Sequence, residues 1–145
     1  TLLLFPYIAP SDGTPAYAAP FTNTVGTLTL GTAGNTNSVT FGTRARYAVD
    51  VRPTGSDQLV VRGAVSINAS ETQLMLYGTL SGPLTYTLME YDSLAGKFAK
   101  VFWNDVEIAA PEDKSSIGGT HTLVYGDTSL QLVGSSSKGT VLVVK

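Results

Sequence analysis

The feature that most constrains the fold is an apolar–polar alternation with a period of two residues, which recurs along most of the chain. In the segment RYAVDVR, the side chains of Tyr47, Val49 and Val51 fall on one face. In QLMLYG, Leu74 and Leu76 share a face in the same way. Successive side chains of a strand point to opposite faces, whereas a helical face repeats every 3.6 residues. The pattern therefore predicts ten or more short strands and almost no helix.

Turn-forming residues divide the chain at short intervals where the alternation breaks. Glycine, proline, asparagine and serine cluster there, for example at residues 53–56, 81–83 and 118–119. Short strands at this spacing are typical of a β-sandwich, a jelly roll or a β-solenoid. The segments GTLTLG, GAVSIN and GTLSGP share a coarse strand–glycine–strand design at uneven spacing, which favours the solenoid.

Charged residues are scarce, at 14% of the chain against about a quarter in ordinary soluble domains. Threonine, serine, asparagine and glycine supply the polarity instead, a balance that suits a secreted or cell-surface β protein. The densest basic cluster consists of Arg44, Arg46, Arg52 and Arg62. These arginines are interleaved with apolar residues and the net charge is -2, so neither a basic patch nor a nucleic-acid partner is predicted. The absence of cysteine excludes disulfides and thiolate metal sites, and no apolar run reaches the roughly 18 residues of a membrane span.

Residues 46–70, RYAVDVRPTGSDQLVVRGAVSINAS, resemble a repeat near the end of the passenger region of bacterial autotransporters and large adhesins. In that family a strand leads into a loop with Ser-Asp-x-Leu, and a short strand then reaches a glycine and another strand. YTLMEYDSLAGKFAKV resembles the continuation with its Tyr-Asp pair and Gly-x-Phe, and HTLVYGDTSLQLV resembles the closing strand pair. The resemblance implies a right-handed parallel β-helix displayed outside the cell as a stalk, adhesin or scaffold, and it implies no catalytic residues.

Two apolar segments, at residues 1–9 and 140–144, depart from that family pattern. We predict that residues 1–24 form an apolar strand followed by a Pro/Ala-rich linker, and that residues 25–145 form a single all-β domain. Each apolar end is expected to pair, either at an edge of its own sheet or by strand donation to a neighbouring copy, which would build a filament if the contact does not close. The predicted subunit-interface residues are Leu2, Leu3, Leu4, Phe5, Val141, Leu142, Val143 and Val144.

His121 is the only histidine, so a Ser-His-Asp triad would have to use it. No Gly-x-Ser-x-Gly elbow accompanies it, so a half-exposed strand histidine is expected. Glu90 and Asp92 are two residues apart and would share a strand face, so they are candidates for the acid/base pair of a glycosidase. Asp92 and Asp127 lie in turn contexts, however, where aspartate caps backbone amides. No catalytic residue, metal ligand or cofactor is therefore predicted.

Aromatic residues on strands are more often core than ligand contacts, but an exposed row of tyrosines could bind sugar by stacking. The tyrosines considered for such a row are Tyr47, Tyr77, Tyr86, Tyr91 and Tyr125.

The sequence as a whole predicts a non-enzymatic extracellular structural protein, either a surface fibre or adhesin or a self-assembling filament subunit joined through its N-terminal apolar strand. The predicted partner is a further copy of the chain, with a host or matrix glycan as a second candidate. The alternative is a carbohydrate-binding or carbohydrate-active β-helix domain, and a viral coat or fibre jelly roll shares the same composition.

Overall fold

Thirteen strands and no helix make up the regular structure of residues 25–135, the part of the chain that the computed structural model describes. The all-β class is therefore confirmed. The predicted N-terminal strand and linker over residues 1–24, the apolar segment 140–144 and the eight predicted interface residues lie outside the described residues. Between residues 25 and 135, no helix is long and apolar enough to cross a membrane.

The strands are β1 (Thr27–Leu30), β2 (Val39–Phe41), β3 (Arg46–Arg52), β4 (Gly55–Ser56), β5 (Gln58–Val61), β6 (Ala64–Ile67), β7 (Gln73–Gly78), β8 (Tyr86–Glu90), β9 (Ser93–Ala95), β10 (Lys100–Trp103), β11 (Val106–Glu107), β12 (His121–Tyr125) and β13 (Ser129–Gly134).

Nine of these strands form three parallel stacks of three strands. Each stack takes one strand from each of three successive segments of the chain. The stacks are β1–β5–β8, β2–β6–β9 and β3–β7–β10. We call the segments that contain β1–β3, β5–β7 and β8–β10 the first, second and third passes. The chain returns to the adjacent strand after 26 to 31 residues. In the third stack, for example, Arg46 lies opposite Gln73, which lies opposite Lys100.

The core consists of inward side chains that lie in rows across the passes. One row aligns Tyr47, Leu74 and Val101, all of which are buried. Phe98 packs beside Tyr47 with ring centroids 6.3 Å apart, and both rings contact Phe41. Because inward side chains of adjacent passes pack against one another, the alternation seen in the sequence becomes a continuous apolar interior.

A β-bulge in β8 changes which side chains face this interior. The register of β8 against β13 shifts between Leu130 and Gln131, and both Leu88 and Met89 are buried. One residue more on the bulged strand moves every later side chain to the other face. Glu90 therefore lies on the outside.

The two ends of the stacks differ within the described residues. After the third pass, β13 pairs antiparallel with β8 and β12 with β13, while β11 pairs antiparallel with β10. At the other end, β1 and β2 each have a strand on one edge only among residues 25–135, and β3 pairs with the short β4 over just two residue pairs. We call the unpaired edges of β1 and β2 the open edge.

Glycine is required at corners where successive passes come into close contact. Gly78 has a φ of 121°, and a Cβ at this position would overlap the carbonyl oxygen of Val51 in the pass before. Gly96 has a φ of 84°, and a Cβ there would overlap the carbonyl oxygen of Ile67. Only glycine combines such a backbone conformation with so close an approach.

Candidate functional site

The outer face of β3, β7 and β10 carries the most distinctive arrangement of polar side chains in the described structure. Alternate residues of these strands point away from the core, as the burial pattern of β3 shows directly. Because the strands are in register, their outward side chains form rows across the passes. The first row contains Arg46, Gln73 and Lys100, and the next contains Ala48, Met75 and Phe102. A cationic row thus lies beside an apolar one.

A depression of about 380 Å³ lies over the first of these rows. Its lining residues are Arg44, Arg46, Glu71, Gln73 and Lys100, and we call it the cationic cleft. Three cations and one carboxylate give the lining an excess of positive charge, although the chain as a whole carries a net charge of -2.

Two of the three cations form ion pairs that solvent reaches. Arg44 Nε lies 2.6 Å from Glu71 Oε2, and the two side chains are 81% and 59% exposed. Lys100 Nζ lies 3.5 Å from Glu107 Oε2, again with both side chains about half exposed. Arg46 has no ion pair among residues 25–135. Exposed pairs of this kind contribute little to stability, so these cations remain accessible to an anion from solution.

Two residues at the rim of the cleft, Arg44 and Glu71, have a strained backbone conformation. Arg44 has a φ of 64° and Glu71 a φ of 58°, both in the left-handed region. That conformation costs a residue with a side chain about 1–2 kcal/mol, which glycine would avoid. The chain nevertheless carries long charged side chains at both positions, and their equivalent places in successive passes bring them into contact. Strain of this kind is often found at functional sites.

The apolar row beside the cleft offers a partly exposed surface. Met75 and Phe102 are half-buried, and Ala48 is exposed. One further step along the strands, Asp50 lies opposite Tyr77, whose hydroxyl donates to Asp105 Oδ1 at 3.1 Å. The outer face therefore changes from cationic to apolar to hydrogen-bonding over a short distance.

The predicted carboxylate candidates do not form a paired acid and base. Glu90 Oε1 accepts a hydrogen bond from Gln58 Nε2 at 2.9 Å on the neighbouring strand, and Asp92 is exposed. Among residues 25–135, the amide-capping role expected of Asp92 and Asp127 belongs to Asp57. Its carboxylate accepts from the backbone N–H of Gly26 at 2.8 Å and, more weakly, from that of Asp50 at 3.2 Å.

The Asp50 carboxyl lies close to the Asp57 carboxylate and is affected by its negative charge. Burial raises the pKa of Asp50 above its ordinary value, the Asp57 carboxylate adds to the rise, and Arg52 opposes it. Asp57 is held by the amide of Gly26, which directly precedes β1, and by that of Asp50 in β3, so the arrangement joins the start of β1 to β3. Among the described residues, no group of three or more His, Cys, Asp or Glu side chains could hold a metal ion.

His121 is fully buried in β12, so the expected half-exposed histidine is wrong. Its Nε2 lies 2.8 Å from the Leu84 carbonyl oxygen, and its Nδ1 lies 2.8 Å from Thr120 Oγ1. A carbonyl only accepts, so Nε2 carries a proton and donates to it, while Nδ1 shares a hydrogen bond with the threonine hydroxyl, which can donate or accept. The ring also packs against Tyr86, with centroids 5.5 Å apart. Both ring nitrogens are thus satisfied by structural partners.

The tyrosines considered for sugar stacking do not form an exposed row. Tyr47, Tyr86 and Tyr91 are buried in the core, and Tyr125 is partly buried against it. Tyr91 donates to the Gly126 carbonyl oxygen at 2.8 Å, and burial together with the charge of Asp127 raises its pKa to about 12. Of the five, Tyr77 alone belongs to the outer face.

The cleft residues were not predicted as a site, although the sequence contains a signal for them. Arg46, Gln73 and Lys100 are spaced by 27 residues, which is the return distance of the third stack. Three polar residues at this spacing, each followed by an apolar residue, indicate a row on the outer face. Of the four arginines that form the basic cluster in the sequence, Arg44 and Arg46 line the cleft, whereas Arg52 and Arg62 do not.

Similarity to known proteins adds no further constraint on the function. No family model matches the sequence, no curated protein matches it, and no solved structure matches the fold. The function is therefore argued from the geometry of the cleft and of the open edge.

Proposed function

We propose that the protein is a non-enzymatic extracellular structural module, a right-handed parallel β-solenoid of three turns that assembles with further copies of itself. The parallel pairing of all three passes supports the solenoid, since a sandwich or a jelly roll is built from antiparallel strands. The right-handed sense follows the nearly universal hand of parallel crossovers. The low charge and the hydroxyl-rich surface support a place outside the cell.

The open edge is the observation that carries the proposal of self-assembly. Leu28, Leu59 and Met89 lie opposite one another in one inward row. Met89 and Leu59 are 0% and 3% exposed, whereas Leu28 is 43% exposed. Because Leu28 points inward and is nevertheless this exposed, the apolar interior is open to solvent at the first pass. Among residues 25–135 the outer edge of β1 has no strand partner, and backbone N–H and C=O groups on such an edge are a template for another strand.

The proposed occupant of the open edge is the N-terminal apolar strand, residues 2–5, of a second copy. Twenty-four residues precede Val25, which lies two residues before the start of β1 at this same edge. Residues 6–24 can span up to about 60 Å when extended, at roughly 3.3 Å per residue, so residues 2–5 can reach a neighbouring molecule. The added strand would gain backbone hydrogen bonds along β1 and would cover Leu28 with its leucine side chains.

Deletion of residues 1–10 tests this proposal. The full chain should form assemblies that grow with protein concentration, as measured by light scattering after gel filtration and by electron microscopy, and the shortened chain should remain monomeric. Replacement of Leu2, Leu3 and Leu4 by serine should have the same effect. The matched control, replacement of Ala16, Ala18 and Ala19 by serine, changes three residues of the same segment and should leave assembly intact.

Two results would contradict donation between copies. Assemblies that persist after the deletion would place the contact elsewhere on the molecule. A monomeric full chain whose free energy of unfolding falls on serine substitution at Leu2, Leu3 and Leu4 would show that the strand pairs within its own chain.

A further inference from the structure

We propose that the cationic cleft and the apolar row beside it bind an acidic polysaccharide, a chain of sugar rings that carries carboxylate or sulfate groups. The site lies on the β3–β7–β10 stack, whereas assembly is proposed at the edges of β1 and β2. The two proposals therefore stand or fall separately.

The cationic row provides the contacts for the anionic group. Neighbouring strands lie about 4.8 Å apart, so Arg46 and Lys100 flank Gln73 across roughly 10 Å. Arg46 has no ion pair within residues 25–135, and the Lys100–Glu107 pair at 3.5 Å is open to solvent. A carboxylate or sulfate could enter between them without breaking a buried interaction. It would gain charge-assisted hydrogen bonds from the guanidinium and the ammonium.

The apolar row provides the contact for the sugar ring. Outward residues two apart on a strand are separated by about 6.6 Å, so Met75 and Phe102 lie one step from the cations. The carbon-bound hydrogens of a pyranose ring form an apolar face that can pack on such side chains. The Gln73 amide offers both donors and an acceptor to the ring hydroxyls. A ligand with a ring and an anionic substituent thus matches both rows at once.

The same arrangement argues against two other anions. A nucleic acid requires a concentrated cationic surface, but this cleft has three cations and a carboxylate in a chain of net charge -2. A simple inorganic anion would not use Met75 and Phe102. The local charge, rather than the field of the whole protein, is therefore what selects the ligand.

Fluorescence anisotropy with labelled hexasaccharides tests the proposal at low and at physiological salt. The probes are oligomannuronate for the carboxylated class, heparin hexasaccharide for the sulfated class and maltohexaose as the neutral member. At least one acidic probe should bind, its affinity should fall as salt is added, and maltohexaose should bind at least tenfold more weakly. The acidic probe that binds more tightly identifies the anionic group.

Variants assign the binding to the cleft. Arg46→Ala combined with Lys100→Ala should weaken the acidic probe by at least tenfold. The matched control, Arg62→Ala with Lys114→Ala, removes the same charge from two exposed positions outside the cleft and should change the affinity by less than twofold. Phe102→Ala should weaken hexasaccharide binding but leave the binding of inorganic polyphosphate unchanged.

Several results would overturn the proposal. It fails if neither acidic probe binds, if the two double variants lose affinity equally, or if maltohexaose competes as well as the acidic probes. Binding of polyphosphate as tight as that of the hexasaccharides, with no effect of Phe102→Ala on either, would reduce the cleft to a non-selective anion site. Thermal unfolding followed by circular dichroism establishes that each variant is folded.

Discussion

Leu28 and Leu59 occupy the same inward row at different distances from the open edge, so truncating each to alanine should cost different amounts of stability. Leu59 is 3% exposed, and removal of its side chain leaves a cavity between packed neighbours. A buried Leu→Ala substitution of this kind costs about 3 kcal/mol. Leu28 is 43% exposed, so it loses only part of the transfer free energy of a leucine and solvent fills the space. We expect Leu28→Ala to cost about 1 kcal/mol.

Urea unfolding followed by circular dichroism measures both costs, at a protein concentration low enough to keep the chain monomeric. In a parallel thermal unfolding experiment, the difference of about 2 kcal/mol should appear as a Tm gap of roughly 4–8 °C between the variants. At concentrations that favour assembly, the cost of Leu28→Ala should grow, because a donated strand would bury that side chain. Equal costs in the monomer would refute the reasoning, since they would mean that the row is closed at the first pass as well.

Three further outcomes follow from the packing. Gly78→Ala should lower the free energy of unfolding by more than about 2 kcal/mol, because a Cβ would meet the preceding pass, whereas Gly34→Ala, with open space around it, should be nearly neutral in the same urea titration. The Tyr91 phenol has its pKa raised from 10.0 to about 12, so the neutral form is favoured in the fold. The contribution of Tyr91 to the free energy of unfolding should be fully present below pH 10 and should be lost as the pH rises towards 12. In urea titrations at a series of pH values, Tyr91→Phe should therefore lose less stability over this range than the original chain. His121→Phe should cost about 1 kcal/mol because it removes the hydrogen bond from the buried ring to the Leu84 carbonyl, and a variant as stable as the original chain would contradict that account.

The sequence predicted the strands well because alternation is a local property. β3 and β7 show it without interruption, and their inward residues are the ones that the period of two selects. The bulge at Leu88 and Met89 could not be predicted, since it depends on how β13 lies against β8. The burial of His121 was missed for a similar reason. Its threonine neighbours indicate a half-exposed strand, whereas the groups that cover it include Leu84 and Tyr86, more than thirty residues away.

The cleft was missed because its residues are brought together by the return distance of the chain. Arg46 and Lys100 are 54 residues apart, and nothing near either residue points to the other. Counting in steps of 27 would have revealed the row. The left-handed backbone of Arg44 and Glu71 could not be predicted from the sequence, because glycine and asparagine are the residues that usually adopt that conformation.

The stacking of passes also determines how the molecule should lose its structure. Each strand of the second pass is hydrogen-bonded on both sides, whereas β1 and β2 are bonded on one side among the described residues. In a quasi-one-dimensional array, stability is the sum of nearest-neighbour terms, so an unpartnered terminus opens first. Amide hydrogen exchange should therefore be fastest in β1 and β2, slower in β5 and β6, and slowest where the β12–β13 hairpin closes the third pass. Unravelling would then proceed from one end of the molecule in steps of one pass.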